Sequence, residues 1–264
     1  MTAASTSTAN GPDRRIDGFL NVDKPFGVTS MDVVRRIKRA SRQKRVGHGG
    51  TLDPVATGVV PICLGQATRM MEYIIEGTKE YTGTVELGVE TDTFDSMGEA
   101  TVTKDPSDVS LQDVERTLSS FRGPIAQVPP MFSALKRQGK PLYALARAGI
   151  EVERKPRDVE VFRLEIGDWS PPAFTIEVTC GRGFYMRSLA HDLGQAIGCG
   201  AHLKGLVRRR SGPFHVSEAL SIEEAEQVFL DGQWRASVHA PDAVLAGMRA
   251  AIVGKQVEEL LHHG

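Results

Sequence analysis

The chain has 264 residues, of which 41% are hydrophobic and 25% are charged, and its formal net charge at pH 7 is −1. This composition provides enough apolar material for one large or two modest globular domains, and it excludes a fibrous or wholly disordered chain. The three cysteines lack a CxxC spacing, which argues against a disulfide framework and against a structural zinc site. No apolar run approaches the roughly 18 residues of a membrane span, and the N-terminus lacks the layout of a signal peptide. We therefore expect a soluble, cytoplasmic protein.

The N-terminal third begins with a tail and continues with regular elements. Residues 1–15, rich in Ser, Thr and Ala, show no periodicity and predict a disordered tail. A short strand is predicted over 18–23, and Thr29 or Ser30 can cap the helix that follows. Three glycines and a proline within residues 47–54 predict an irregular loop, because glycine supplies backbone angles that regular ladders do not use.

The remaining elements predict an α/β (α+β) fold with a mixed, largely antiparallel sheet flanked by helices. Strands are predicted over residues 59–64, 79–88, 159–169 and 174–180, and helices over residues 68–75, 111–121, 143–147, 185–197 and 222–229. The fifty residues after Pro213 are few for a core of their own. The chain therefore divides into a main domain over 16–213 and a short C-terminal region over 214–264.

Positive charge is concentrated in three windows of the chain. Residues 35–45, 136–157 and 182–210 hold 20 of the 32 basic residues and only 3 of the 33 acidic ones. If the fold brings the windows together, they form one basic face suited to a polyphosphate partner. The alternative is three separate solvated helix faces.

Two charged side chains have both a chemical and an ordinary interpretation. Asp53, held between Leu52 and Pro54 in the glycine-rich loop, suits nucleophilic or acid/base work, but an aspartate before proline also commonly caps a turn. Arg187 follows a predicted strand and opens a helix, where it can pair with a carboxylate, grip a phosphate or simply face solvent.

Aromatic and polar residues give weaker indications. Tyr81 and Tyr185 suit stacking on a nucleobase, although each also fits a core position with its hydroxyl at the rim. His48 is consistent with an ordinary loop imidazole, and Asp92 with an ordinary turn residue.

Several well-known motifs are absent from the sequence. It contains no P-loop, no GxGxxG after a strand, no HExxH and no GxSxG elbow. The remaining histidines lack partners at metal-ligand spacing and are interpreted as ordinary surface or interface residues. They are His191, His202, His215, His239, His262 and His263.

Six ordered blocks between about residues 17 and 215 resemble the TruB family of tRNA pseudouridine synthases. The blocks are Asp23-Lys24-Pro25 with Thr29-Ser30, the loop from Val46 to Gly65, Lys79-Glu80-Tyr81, Thr91-Asp92-Thr93 with Asp95, the run from Pro129 to Lys136, and the run from Cys180 to Leu189. The resemblance implies the pseudouridine synthase fold and the conversion of uridine 55 in the tRNA T-loop to pseudouridine. It also implies that no metal or other cofactor is needed.

The resemblance assigns roles to residues that composition alone leaves open. Asp53 matches the family's catalytic aspartate, and Arg187 matches an arginine that pairs with it and keeps it charged. Tyr81 matches the tyrosine that stacks on the target base and is the candidate base for the C5 proton. These three are the expected catalytic residues.

The same resemblance implies that the target base is flipped out of the folded T-arm. His48 matches the residue that fills the vacated space, and Tyr185 and Leu206 match positions lining the uracil pocket. Asp92 is expected in the same polar network. Residues 127–157 resemble an insertion that clamps the T-loop through its basic side chains.

The C-terminal region departs from the family pattern, because its fifty residues are short for a PUA-like RNA-binding module and resemble only the opening part of one. A competing hypothesis is a tRNA chaperone that opens the T-arm without chemistry. A glycosidase that releases uracil through Asp53 is a third. A monomer is the expected oligomeric state.

Overall fold

A computed structural model describes residues 15–137, 139–249, 254, 255, 257 and 260, so the expected tail at 1–15 lies, except for Arg15, outside the described residues. The helices found there are α1 (Ser30–Ser41), α2 (Met71–Glu76), α3 (Leu111–Leu118), α4 (Leu142–Arg147), α5 (Met186–Ile197) and α6 (Ile222–Leu230). The strands are β1 (Gly18–Lys24), β2 (Val46–His48), β3 (Ala56–Leu64), β4 (Lys79–Leu87), β5 (Val89–Thr91), β6 (Ala100–Thr103), β7 (Gly123–Gln127), β8 (Lys136–Arg137), β9 (Lys140–Pro141), β10 (Arg157–Ser170), β11 (Ala173–Cys180), β12 (Ala201–Ser211), β13 (Phe214–His215) and β14 (Val238–His239). Among these residues no helix is long and apolar enough to cross a bilayer.

Ten of the described strands form one sheet. Its main path runs β14-β1-β3-β12-β4-β11-β10-β7, with β13 beside β12 and β2 beside β3. Within the described part of the chain, β12 with β3 is the one parallel pairing of this sheet. The prediction of a mixed, largely antiparallel sheet flanked by helices is therefore confirmed.

The core has two large halves on either side of the middle of the sheet, and a third, smaller cluster packs Ile74 of α2 and Phe214 of β13 against β1 and β3. One half packs α3 and α5 against β4, β10 and β11, and the other packs α1 and α6 against β1 and β3. Tyr81 of β4 and Leu206 of β12 are half-buried and contact both halves. These two side chains therefore mark the junction at the centre of the molecule.

Local sequence signals explain most elements. Thr29 caps α1 in a reciprocal pair with Asp32, as its predicted role requires. The predicted helix over residues 68–75 is a 3-10 turn over Gly65–Met70 followed by α2. Strand β3 begins three residues before the predicted start at 59 and is buried on both faces, which explains its unbroken apolar run.

Strand β12 is absent from the sequence-based prediction. It lies in the middle of the sheet, where Leu206 is paired with Gly83 on β4 and with Ala56 on β3. Lys204 and Arg208 to Arg210 give this segment the composition of a solvated stretch. Burial of Arg208, which is 2% exposed, shows why composition misleads here.

The C-terminal region packs on the main sheet as far as it is described. Helix α6 lies against α1 and contributes Ile222, Ala225 and Phe229 to the second half of the core. Strand β14 adds to the sheet by pairing with β1. The boundary at residue 213 and the partial PUA-like module remain predictions, and much of the segment beyond residue 249 lies outside the described residues.

Candidate active site

Asp53 lies in the loop between β2 and β3, and this loop is held by hydrogen bonds to its backbone. The buried Ser30 hydroxyl donates to the Leu52 carbonyl at 3.0 Å and accepts from the Leu52 N–H at 2.8 Å. Gly50 has φ +123°, a conformation that side chains rarely tolerate. The Ala56 N–H donates to the Asp53 carbonyl at 3.1 Å and the Gly27 N–H to the Pro54 carbonyl at 2.8 Å, so the backbone is fixed on both sides of Asp53 while its side chain stays 36% exposed.

Two buried cations support this loop. Arg208 donates to the carbonyls of Gly50, Thr51 and Val59 at 3.1, 3.2 and 2.7 Å. Lys24 donates to the Pro54 carbonyl at 3.4 Å, and burial lowers its pKa to about 8. Neither supporting role is predictable from composition, in which Arg208 is only one member of a basic window.

Arg187, in the first turn of α5, pairs with Asp53. Its Nη2 lies 2.9 Å from Oδ2 of Asp53 and donates to the Phe132 carbonyl at 2.8 Å. Its Nη1 donates to the Thr93 carbonyl at 3.2 Å and lies 3.5 Å from Oδ2 of Asp95. The guanidinium is 5% exposed, so four groups from three distant segments fix its plane. The surface position considered for Arg187 from its sequence context is wrong.

Asp95, not Asp92, completes this network. Asp95 is 5% exposed and accepts hydrogen bonds from the Thr93 hydroxyl at 2.7 Å and the Met97 N–H at 3.0 Å. Asp92 is exposed and accepts from the Glu99 N–H at 2.9 Å, away from Arg187. Asp92 therefore has no described bond to Arg187, and its place among the substrate-binding residues stays a prediction. Two aspartates three positions apart in one turn carry no sequence signal that separates them.

The two tyrosines lie beside the Asp53–Arg187 pair. Tyr81 is directly opposite Arg208 in the β4–β12 register. Burial raises the pKa of Tyr81, opposed by the charge of Arg208, and burial also raises the pKa of Tyr185. The Tyr185 backbone is held at both ends by the Gln127 side chain, at 2.7 and 3.0 Å. Both phenols are therefore neutral at pH 7.

The other expected substrate-binding residues flank this group. His48 ends β2, and burial, with the nearby charge of Arg208, lowers its pKa and favours the neutral imidazole. Leu206 lies at the junction of the two core halves with Tyr81. Asp53 and Arg187 are thus in contact, and the charge of Asp53 acts on both phenols, while Leu206 packs against the same two core halves as Tyr81.

The basic windows contribute unequally to the surface. In residues 182–210, Arg187 and Arg208 are buried, and the three cations Arg182, Lys204 and Arg210 pair with Glu76, Glu86 and Glu80. Arg209 of this window is exposed and donates to the Thr82 hydroxyl at 3.1 Å, so it keeps a positive charge that no described carboxylate pairs with. Exposed cations without an ion-pair partner among the described residues remain in the first window. They are Lys38, Arg39, Arg42, Lys44 and Arg45.

Of the histidines interpreted as ordinary surface or interface residues, His202 is buried and His191 is partly buried. His202 is 6% exposed, with Nδ1 3.0 Å from the Val89 carbonyl. His191 stacks on Phe94. No group of three or more His, Cys, Asp or Glu side chains in the described part of the chain is arranged to hold a metal ion.

Comparison with known proteins gives two family matches and a set of relatives. Residues 38–186 match the N-terminal domain of the TruB family pseudouridylate synthases, and residues 187–253 match the C-terminal domain of tRNA pseudouridylate synthase B. A tRNA pseudouridine synthase B from Dehalococcoides mccartyi is 49% identical over 218 residues, which cover 83% of this chain and 73% of that protein. One from Geobacter sulfurreducens is 45% identical over 249 residues, covering 94% and 82%.

Solved structures give similar folds. The structure titled a Cbf5-Nop10-Gar1 complex matches with a TM-score of 0.67 and 29% identity, covering 86% of this chain and 61% of that one. An H/ACA RNP bound to a substrate RNA containing 2′-deoxyuridine matches with a TM-score of 0.63 and 26% identity, covering 86% and 60%. The chain thus spans about three fifths of those solved chains.

Proposed function

The chain belongs to the TruB family of pseudouridylate synthases, which are isomerases, and we propose that it converts uridine 55 in the T-loop of tRNA to pseudouridine. In this reaction the N1–C1′ bond of the nucleotide breaks and a C5–C1′ bond forms. C5 loses its proton and N1 gains one, so substrate and product have the same atoms. The observation that carries the proposal is the Asp53–Arg187 pair beside Tyr81, within a chain of this family.

We assign the chemical roles from the contacts of each side chain. Asp53 has one oxygen on Arg187 and a partly exposed side chain, so it supplies the carboxylate that drives cleavage of the glycosidic bond. Arg187 is a rigid fork that orients this carboxylate. Tyr81 presents its ring to the base. Because its pKa is raised, its hydroxyl takes up the C5 proton only as it passes its own proton to water, and N1 takes its proton from water in turn.

Access to the base requires that it leave the stacked T-arm. The pocket walls proposed for the flipped uracil are Tyr81, Tyr185 and Leu206, all half-buried. His48, held neutral by burial, is proposed to fill the space that the base leaves. Stacking on an aromatic ring is worth about 1–3 kcal/mol per base, which offsets part of the unstacking cost.

The partner surface is proposed to be basic. Exposed cations of residues 38–45 lead directly into β2 and His48. Exposed cations also lie within the expected clamp at residues 127–157. These are Lys136, Arg137, Lys140, Arg147, Lys155 and Arg157. Such side chains neutralise phosphates without reading sequence, so they suit binding of the tRNA elbow.

The test is pseudouridine formation on an unmodified tRNA transcript labelled with tritium at uridine C5, with tRNA binding measured in parallel. We expect Asp53→Asn to lower kcat by at least about 1,000-fold with binding retained, since loss of a nucleophilic group commonly costs more than this. Asp105→Asn is the matched control, because Asp105 is an exposed turn aspartate that accepts from the Ser107 N–H. A transcript with cytidine at position 55 should release no tritium.

The other outcomes separate the alternatives. Product from Asp53→Asn at the wild-type rate would contradict the assignment of Asp53. Binding without product from the wild type would favour a tRNA chaperone. Free uracil in place of pseudouridine would identify a glycosidase. Tritium release from the cytidine transcript would move the target away from position 55.

A further inference from the structure

Phe94 has a strained backbone within the turn that follows β5. Its φ is +63°, and Arg42 is the other described non-glycine residue with positive φ. Arg42 is the C-cap of α1, where the left-handed conformation is common. Phe94 is not a helix cap, and for a bulky residue this conformation is unusual and strained. Contacts elsewhere must therefore hold it.

One such contact is with His191 on α5. The two rings stack with centroids 3.9 Å apart and planes 10° apart. Burial lowers the pKa of His191, with Arg154 acting in the same direction and Glu90 opposing, so the stacked imidazole is neutral. Its buried Nδ1 has no hydrogen-bond partner among the described residues, and the oxygen of Glu90 lies 3.9 Å away. The stack is therefore the one aromatic contact described for His191, beside the more distant carboxylate of Glu90.

The position of Phe94 in the chain gives the stack its importance. The residues on either side, Thr93 and Asp95, supply the carbonyl and the carboxylate that face Nη1 of Arg187. Arg187 lies four residues before His191, so both side chains project from the same side of α5. Any shift of Phe94 relative to His191 thus moves both groups relative to the guanidinium that holds Asp53.

The backbone of the turn is tied on its other side to β12. The Leu203 N–H donates to the Phe94 carbonyl at 3.0 Å, and the Ser96 N–H donates to the Leu203 carbonyl at 3.1 Å. The turn is thereby clamped between a strand and a ring on α5. These backbone bonds do not depend on the Phe94 side chain.

We propose that Phe94 and His191 are positioning residues whose ring stack fixes the turn over residues 91–96 against α5 and so sets the orientation of Arg187 toward Asp53. The inference rests on the proposed function, since it takes Asp53 as the catalytic carboxylate. Neither ring is among the side chains proposed to contact the base.

The experiment compares kcat and KM for tRNA, together with the thermal unfolding midpoint, across variants of the pair. We expect Phe94→Ala and His191→Ala each to lower kcat by about 10-fold with KM changed less than about 2-fold, because packed neighbours couple on this scale. His191→Phe keeps a ring and removes ionisation, so it should stay within about 2-fold of the wild type. Met97→Ala, a change at an exposed side chain of the same turn, is the control.

Two further variants separate strain from stacking. Asparagine tolerates the left-handed conformation, so Phe94→Asn relieves strain while removing the ring. We expect it to be as slow as Phe94→Ala. The double variant of Phe94 and His191 to alanine should be no slower than either single variant, because both remove one contact.

Three results would overturn the inference. The first is that both alanine variants have the wild-type kcat per folded molecule. The second is that His191→Phe is as slow as His191→Ala. The third is that Phe94→Asn has the wild-type kcat although it lacks the ring. Measuring Asp53→Asn in the same assay separates the test of the proposed function from the test of the ring stack. Loss of activity in Asp53→Asn supports the proposed function, so normal rates in the stack variants would then count against the stack alone.

Discussion

Lys24 is a charged side chain with no solvent exposure, and its ammonium donates to the carbonyls of Pro25, Val28 and Pro54. Carbonyls offset only part of the cost of burying a charge, which explains the lowered pKa of Lys24. The nearby charge of Asp53 opposes the effect of burial and that of Arg208 reinforces it. The same ammonium therefore supports the loop of Asp53 and is costly to keep charged.

This cost predicts a pH dependence of stability. The pKa of Lys24 is about 8 in the fold against 10.5 in the unfolded chain, so the unfolded chain binds the proton more tightly. Stability contributed by Lys24 therefore rises as pH increases from 8 to 10.5. We expect the unfolding free energy of the wild type minus that of Lys24→Met to rise by up to about 3 kcal/mol over this window.

The measurement is urea unfolding of both proteins at pH 7 and pH 10.5. Taking the difference cancels titrations common to both, including those of Cys63 and Cys180, whose pKa values burial raises to about 12. Lys104→Met is the control, because Lys104 is exposed and donates to the Gly198 carbonyl. A flat difference for Lys24 would contradict the prediction.

At the scale of elements, one arginine joins the first helix to the last described one. Arg36 on α1 makes two hydrogen bonds to Glu226 on α6, at 2.5 and 2.9 Å, and one to Glu223 at 2.8 Å. The pKa of Glu226 is lowered, chiefly by this hydrogen bonding. Because α6 also packs Phe229 into the core half of α1, the ion pairs and the apolar contact act on the same interface.

We expect Arg36→Ala to lower the unfolding free energy by about 1 kcal/mol, the upper range for a partly exposed ion pair with good geometry. Arg35→Ala is the matched control, since Arg35 is exposed and pairs only with Asp32 among the described residues. Urea unfolding at low salt and in 1 M NaCl measures both. Equal losses for the two variants, or a loss for Arg36→Ala that salt does not reduce, would count against the ion pairs.

Elements whose own residues carry a local sequence pattern could be predicted from the sequence. The capping pair of α1 and the alternation of β4 are local, and both elements form as expected. Strand β12 could not be predicted, because its four Lys/Arg residues equal its apolar residues in number and its place is set by pairing with β3 and β4. Long-range pairing of this kind leaves no periodicity in the strand itself.

In the candidate site too, some features could be predicted from sequence motifs, and others depend on long-range contacts that could not. Motif order predicts that Asp53, Tyr81 and Arg187 form one site, and the structure brings Asp53 and Arg187 into contact. The groups that fix Arg187 were not predictable, because Thr93 and Phe132 contribute backbone carbonyls. A carbonyl is common to every residue, so no side-chain pattern indicates which one will accept a hydrogen bond.

At the scale of the whole molecule, charge is uneven although the net charge is −1. Many cations outside the first window pair with carboxylates, as Arg182, Lys204 and Arg210 do. Counterion release depends on cations that are free to contact phosphate, not on the net charge of the chain. The salt dependence of tRNA binding therefore reports which cations lie at the interface.

The segment from Lys38 to Arg45 gives the sharpest case. We expect the double variant Lys44→Gln, Arg45→Gln to weaken tRNA binding and to reduce the slope of log Kd against log salt by about 1 for each phosphate that the variant no longer neutralises. The control double variant is Arg116→Gln, Arg163→Gln, which removes the same charge from arginines paired with Asp113 and Glu165. Binding titrations across salt concentrations should leave the control slope near that of the wild type. Equal slopes in both double variants would show that the effect comes from net charge, and the first window would then have no place at the tRNA surface.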